Sequence, residues 1–263
     1  MRSELALRIL CAFYVVLIFG LPMVVAISLY NFAPYLIVFI PLIYSVLYVL
    51  TAGVLSLIHA HGVVEGRHER TSTNPVHFHR TLYNLCWTSV FYFKPIYWLH
   101  LSFQPLKHMM FRLFSYKGPM KFTVYPDTWI RDLPLLHFDE GAYVSNRATL
   151  GSNIIIDENT VRIGKIHLGK KAMIGHLAVV GLGLKMEANS EIGVRTVTGI
   201  EVSLGENADV GAACNIGHFV AVGKNAKIGE SAYVATKTKI ADGDVISAGY
   251  NSWVDKMSTE NSN

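Results

Sequence analysis

Residues 186–233 read MEANSE IGVRTV TGIEVS LGENAD VGAACN IGHFVA VGKNAK IGESAY, and each block of six opens on Met186, Ile192, Thr198, Leu204, Val210, Ile216, Val222 or Ile228. The same cutting extends in both directions without a gap, from Phe138 to Asn251, and gives nineteen hexads. Only Arg162 and Thr198 break the apolar rule at the first place, and the second place is Gly in eleven of the nineteen. The fifth place is small or β-branched, as at Ala142, Ala148, Ala172, Ala178, Thr196, Ala208, Ala226, Ala232 and Thr238.

A period of six matches neither a helix at about 3.6 residues per turn nor strand alternation at 2. It matches a solenoid with three short strands per turn, in which stacked turns bury a column of aliphatic side chains. The small fifth residue suits a tight corner, and Gly is expected where the backbone must bend and a Cβ would clash. Nineteen hexads make about six turns, roughly 29 Å of strands stacked at roughly 4.8 Å. The fold class expected is mainly β: a parallel β-helix of about six turns, preceded by an α-helical membrane anchor with two transmembrane helices.

The anchor is legible in the first 60 residues. Leu5 to Tyr30 and Pro34 to Ile58 are apolar runs, and at about 1.5 Å per residue each reaches across a hydrocarbon layer of roughly 30 Å. Pro22 and Pro41 lie inside them, where membrane helices tolerate a kink. A cleaved signal peptide over residues 1–28 is the alternative, but the run is longer than a signal core and a second span follows. Arg2 and Arg8 precede the first span, Arg67, Arg70 and Arg80 follow the second, and the connector around Asn31 carries no Lys or Arg. The excess of positive charge on cytoplasmic loops then places both ends, and everything after residue 58, at the cytoplasmic face of a multi-pass inner-membrane protein.

Between anchor and repeat, residues 61–137 read as a cytoplasmic linker. Its aromatic stretch 81–116, with Trp87, Tyr97 and Trp98 among others and broken by Pro95 and Pro105, suggests two interfacial or re-entrant helices. Histidines gather here as His59, His61, His68, His77 and His79. Alternating His77 and His79 would share one side of a strand, yet no Cys or carboxylate accompanies them, so a polar loop is favoured over a metal site. The β-helix is placed at 138–253 and a disordered charged tail at 254–263.

Charge and cysteine content exclude other classes. The net charge of +4 sits near the N-terminus and over 67–131, which suits anionic lipid. No basic stripe with interleaved aromatics marks a nucleic-acid groove. Cys11, Cys86 and Cys214 are too few and too scattered for a disulfide framework or a metal motif.

The pairs Ile174-Gly175, Ile192-Gly193, Leu204-Gly205, Val210-Gly211, Ile216-Gly217, Val222-Gly223 and Ile228-Gly229 resemble the left-handed β-helix of the hexapeptide-repeat acyltransferases. The left hand comes from that resemblance, since chain twist alone favours a right-handed crossover. The resemblance implies a homotrimer with sites in clefts between neighbouring coils, and acetyl-CoA or another acyl-thioester as co-substrate. It also implies a catalytic histidine at the third place of a hexad. The membrane-plus-hexapeptide arrangement is also similar to the C-terminal segment of some nonribosomal-peptide-synthetase-like proteins.

Acyl transfer from a thioester needs a base for the acceptor's proton and donors for the developing oxyanion. His176 and His218 both hold the third place; His176 is the first choice and His218 the second. His167, Lys185 and Asn215 are expected in the substrate cleft, and Lys224, Lys227, Lys237 and Lys239 form a candidate site for the nucleotide of the donor, or simply a solvated face. Ile174-Gly175-His176 is also similar to the metal turn of gamma-type carbonic anhydrases. That family needs a second histidine five residues on, where Gly181 stands, so no metal is expected. A non-catalytic membrane-tethered scaffold is the remaining rival. The anchor favours an acceptor at the bilayer: a sugar, a lipid-linked glycan or a lipid headgroup.

Overall fold

Each apolar first residue of a regular hexad ends a strand of two or three residues and points inward. Ile174, Val180, Met186 and Ile192 are fully buried, as are the small fifth residues Ala148, Ala172, Ala178, Ala208 and Ala226. Successive strands belong to three different faces. Each stacks in parallel on the strand one turn earlier, as Asp209 and Val210 do on Glu191 and Ile192. The first face has seven strands, from Thr123–Val124 to Val245–Ile246; the second has five, from Thr149–Leu150 to Tyr233–Val234; the third has six, from Leu136–Phe138 to Lys239–Ile240. The result is a parallel, three-sided β-solenoid of about seven turns.

That is one turn more than the hexads indicate, because the coil starts before them. Thr123–Val124 pairs with Tyr143–Val144, and Trp129 bridges to Thr149. Thr198 breaks the apolar rule at no cost in unsatisfied polarity: its buried hydroxyl accepts the Gly181 N–H at 3.3 Å.

The glycines answer to stacking, not to bending. A Cβ at Gly175 would lie 2.6 Å from the Val194 nitrogen, and one at Gly193 2.5 Å from the Gly211 carbonyl carbon, each on the following turn. Positive φ falls instead on the fourth residue of the hexad, at Leu177 (59°), Arg195 (59°), Asn207 (55°), Ala213 (56°) and Phe219 (58°). A left-handed conformation costs a non-glycine residue roughly 1–2 kcal/mol. Here each is held by a backbone bond to the turn before, such as Arg195 N–H to the His176 carbonyl at 2.8 Å and Ala213 N–H to Val194 at 2.8 Å.

The gapless count from Phe138 hides an insertion. Met173 stacks on Tyr143, Val179 on Thr149 and His167 on His137, 30 residues apart in each case where every later turn takes 18. The surplus is twelve residues, two whole hexads, so the phase of six survives it. Those residues form a hairpin of strands Asn153–Asp157 and Thr160–Ile163, closed at its base by Gly164 N–H to the Ser152 carbonyl at 2.9 Å. Ile156 and Arg162 are therefore not first residues of hexads, and Ile156 is 47% exposed.

The structure, a computed structural model, describes residues 2–252; Trp253 and the expected tail 254–263 lie outside them. The chain divides into a β unit, made of Gly118–Ile130, Leu135–Ile154 and the chain from Ile163 onward, and a helical unit comprising the chain up to Lys117 with Arg131–Pro134 and Ile155–Arg162. The helical unit contains α1 (Arg2–Phe32), α2 (Ile40–His59), α3 (Pro75–Tyr92), α4 (Lys94–Ser102) and α5 (Gln104–Leu113). The segments Ser3–Phe32 and Pro34–Gly62 are long and apolar enough to cross a membrane, and only 22% and 28% of their most apolar windows are buried. Side chains such as Leu5, Ile9, Val16, Val24 and Val38 stand outward.

The aromatic stretch forms three helices, α3 to α5, and most of its rings turn inward. Tyr83, Trp87, Tyr97 and Phe111 have no exposed surface, and Trp87 meets Tyr97, Phe111 and Phe114 edge-on. α3 begins where Asn74 accepts the N–H groups of Val76 and His77 and Pro75 fills the first position, the ordinary start signal of a helix. Arg80 makes a two-pronged pair with the fully buried Asp132, Nε to Oδ1 at 2.9 Å and Nη2 to Oδ2 at 2.6 Å. The hairpin tip contributes to this unit through a small sheet in which Gly66–Glu69 adds to Thr160–Ile163.

Candidate active site

The outward residue just before each apolar one forms a column along every face. On the third face, that column begins with His137 and His167, paired in register on adjacent turns. Their rings stand edge to face with centroids 4.9 Å apart. Asp139, one place beyond the buried Phe138, stands between them. Its Oδ1 is 2.9 Å from His137 Nε2 and its Oδ2 is 3.4 Å from His167 Nε2. The Asp139 N–H is tied to the Leu168 carbonyl at 2.9 Å, so stacked backbone fixes all three side chains at their roots.

Such a carboxylate accepts the Nε2 protons and leaves the Nδ1 lone pairs outward, the tautomer a general base requires. The column continues through Lys185 and Ser203. Together with Glu187, Lys224 and Asp242, these two line a groove of about 590 Å³. Lys185 Nζ lies 2.8 Å from Glu187 Oε1 and is the main reason that the Glu187 carboxyl is held below its ordinary value. Glu187 occupies the place of Asp139 two turns further on. One face thus carries imidazole and carboxylate at its early turns and paired charges along its later ones.

The other site residues expected from the sequence distribute as follows. His167 and Lys185 are neighbours in this column. His176 is half-buried at the corner between the first and second faces, and no described side chain is hydrogen-bonded to its ring. His218 is exposed at the corner between the second and third faces, and its Nδ1 accepts the Ile200 N–H at 3.0 Å. That bond occupies the Nδ1 lone pair and leaves the neutral ring's proton on Nε2. Asn215 lies on the second face, between Val197 and Tyr233. The four lysines separate: Lys224 lines the third-face groove and Lys227 a first-face groove of about 600 Å³ with Glu191 and Asp209. Lys239 follows Ala221 on the third face, and Lys237 takes a corner with φ 64°. In the first-face groove, burial and then the charge of Asp209 raise the Glu191 carboxyl above its ordinary value.

His77 and His79 lie on α3, not on a strand, so two positions apart they do not share a side. His79 instead meets His59 through their Nδ1 atoms at 2.8 Å, His59 Nε2 meets the Tyr14 hydroxyl at 2.8 Å, and the His61 ring lies 4.3 Å from that of His79. Burial, then the charge of His61, keeps His79 below the usual histidine value.

His137 and Asp139 do not emerge from the hexads. A strict period of 18 would set His137 beneath Ile155 and not beneath His167; the hairpin's two extra hexads conceal the pair. The available signal was the irregularity already visible at Arg162.

No known protein-family profile matches the chain, and no curated protein sequence matches it. Among solved structures, it is similar to Entamoeba histolytica serine acetyltransferase 1 in complex with L-cysteine. The identity is 14% over 86% of this chain and 74% of that one, with a TM-score of 0.21. It is also similar to serine acetyltransferase isoform 3 of the same organism in complex with cysteine, at 12% identity over 86% and 68% of the two chains and a TM-score of 0.21. Likenesses this slight bear no weight on activity.

Proposed function

We propose that the protein is a membrane-held acyltransferase that moves an acyl group from a thioester to a hydroxyl or amine at the bilayer surface. The observation that carries this reading is the imidazole–carboxylate cluster of His137, Asp139 and His167, in register with the charged groove on one face of a hexapeptide solenoid. The base is placed at His137, the imidazole nearer the carboxylate, with His167 beside it, in preference to His176 and His218. His176 has no carboxylate partner among the described residues, and the Nδ1 of His218 is already engaged.

In the reaction, Nδ1 of His137 takes the acceptor's proton as the acceptor oxygen or nitrogen attacks the thioester carbonyl carbon. The C–S bond then breaks, and the departing thiolate recovers the proton from the imidazolium. Asp139 keeps the ring in the required tautomer and stabilises its charged form. The groove beside the cluster mixes Lys185 and Lys224 with Glu187, Glu206 and Asp242, so the two ammonium groups are the points at which an anionic donor such as acetyl-CoA would be held. The two apolar segments act as spans that hold the coil at the cytoplasmic leaflet, so that the acceptor is a lipid-linked sugar or a lipid headgroup. A neighbouring coil in a homotrimer completes the cleft.

The test is label transfer from acetyl-CoA and longer acyl-CoAs to membrane lipid by the full-length protein in detergent. Loss of a general base should lower the rate by about 10²–10⁴-fold, in His137→Ala and to a lesser degree in Asp139→Asn, with His176→Ala near the parent. If His176→Ala is the silent variant, the base is at the corner; if no donor gives transfer, a tethered scaffold is the better account.

A further inference from the structure

We propose that His137, Asp139 and His167 also bind one divalent ion of the zinc class, and that the ion switches transfer off. The second part rests on the base assignment above; the binding itself does not.

The three side chains offer one ligand atom each, all within 4.8 Å of one another. Zinc holds nitrogen and oxygen ligands at about 2.0–2.2 Å, which separates the ligand atoms of a tetrahedron by roughly 3.3 Å. The nitrogen-to-carboxylate distances here, 2.9 Å from His137 to Oδ1 and 3.4 Å from His167 to Oδ2, are close to that separation, and a small turn of the carboxylate brings one oxygen to both rings. Little rearrangement is needed, because both imidazoles rise from strands bonded in register and Asp139 is tied at its backbone. Two imidazoles with one carboxylate select a borderline transition metal over magnesium or calcium, which take oxygen ligands. Three protein ligands leave a fourth position to solvent.

Binding and base catalysis exclude each other at these atoms. The nitrogens that face Asp139 are Nε2 in both rings. An ion coordinated there consumes the Nε2 lone pairs and moves the ring protons to Nδ1, which then has nothing to accept a proton with. The ion also takes the carboxylate that orients the rings.

The experiment uses the full chain in detergent, purified without a histidine tag and stripped by chelator. Cobalt(II) is added and its visible absorption followed, with zinc(II) as competitor and magnesium(II) as control. One ion per chain should bind at this cluster, and affinity should fall by more than the roughly 10–100-fold that loss of an outer-shell partner costs in His137→Gln and Asp139→Asn, but persist in His176→Ala. Circular dichroism of each variant checks that it is folded. One equivalent of zinc should abolish label transfer, and chelator should restore it. Absence of the cobalt signal, or a signal lost in the His59→Gln, His79→Gln double variant and kept in His137→Gln, overturns the site. A bound ion that leaves transfer unchanged or raises it overturns the switch. Binding at the cluster with no transfer under any condition leaves the ion site standing and removes both the acyltransferase reading and its silencing.

Discussion

In the β unit, aliphatic side chains go inward at every sixth residue and the ionisable ones stand along the faces. In the helical unit, Leu5, Ile9, Val16 and Val24 point outward while Arg80, Asp132, His100 and Lys107 are buried. One arrangement presents chemistry to water; the other presents hydrocarbon to its surroundings and takes polar groups inside, Arg80 and Asp132 as a pair and His100 with its Nε2 unmatched. A substitution of one kind should therefore act differently in the two units.

The largest effect is expected at the buried pair. Arg80→Ala removes the two-pronged partner of the fully buried Asp132 and leaves it Arg131 Nε at 3.9 Å; it should cost about 3–5 kcal/mol, read as loss of hydrogen-exchange protection in α3 while the solenoid stays protected. Removing Lys121, whose pair with Glu140 is exposed, should leave that protection unchanged. Equal losses from the two would erase the contrast.

Ile192→Ala opens a cavity in the column at the heart of the coil and should cost about 2–5 kcal/mol. Thermal unfolding should drop with protection lost on the flanking turns, at Ile174 and Val210, before the helices are touched.

Acid should separate the units next. Burial, as the first cause, lowers His77, His79 and His100 below their ordinary value of 6.5. The unfolded chain then takes up protons that the folded one resists, so the stability these groups lend is intact above about pH 6.5 and is lost as pH falls through their lowered values. Hydrogen exchange at descending pH should loosen α3 and α4 first, and a helical unit that outlasts the coil in acid would contradict this.

The smallest effect belongs to the asparagine ladder, in which Asn189 donates to Asn207 at 3.2 Å and Asn207 to Asn225 at 3.1 Å. Asn207→Ala removes two exposed bonds and leaves an alanine at φ 55°. The expected cost is about 1 kcal/mol, visible as a small drop in melting temperature.

The coil was legible in the sequence because each hexad repeats the same local demand: an aliphatic residue inside, a glycine where the next turn presses, a small residue at the corner. The two apolar segments were legible for the same kind of reason. What stayed hidden depended on distance along the chain. Thr123–Val124 joins the first face by pairing alone, without a hexad to announce it. His137 meets His167 only because twelve residues leave the coil between them, and nothing local to His137 signals that partner. His77 and His79, expected in a polar loop, lie on a helix whose start signal is Asn74-Pro75.

The chain departs from the solenoid at Ser152 and returns at Gly164 through a single hydrogen bond of 2.9 Å. Since both ends of the excursion meet at one point, the turns on either side are indifferent to what is strung between them. That makes the spot a natural splice site. A short tight connector, or a reporter peptide, can replace 153–162 while the buried Ile163 stays with the coil, and the cost falls on the buried Val161 and on Gly66–Glu69, which would lose the neighbour it pairs with.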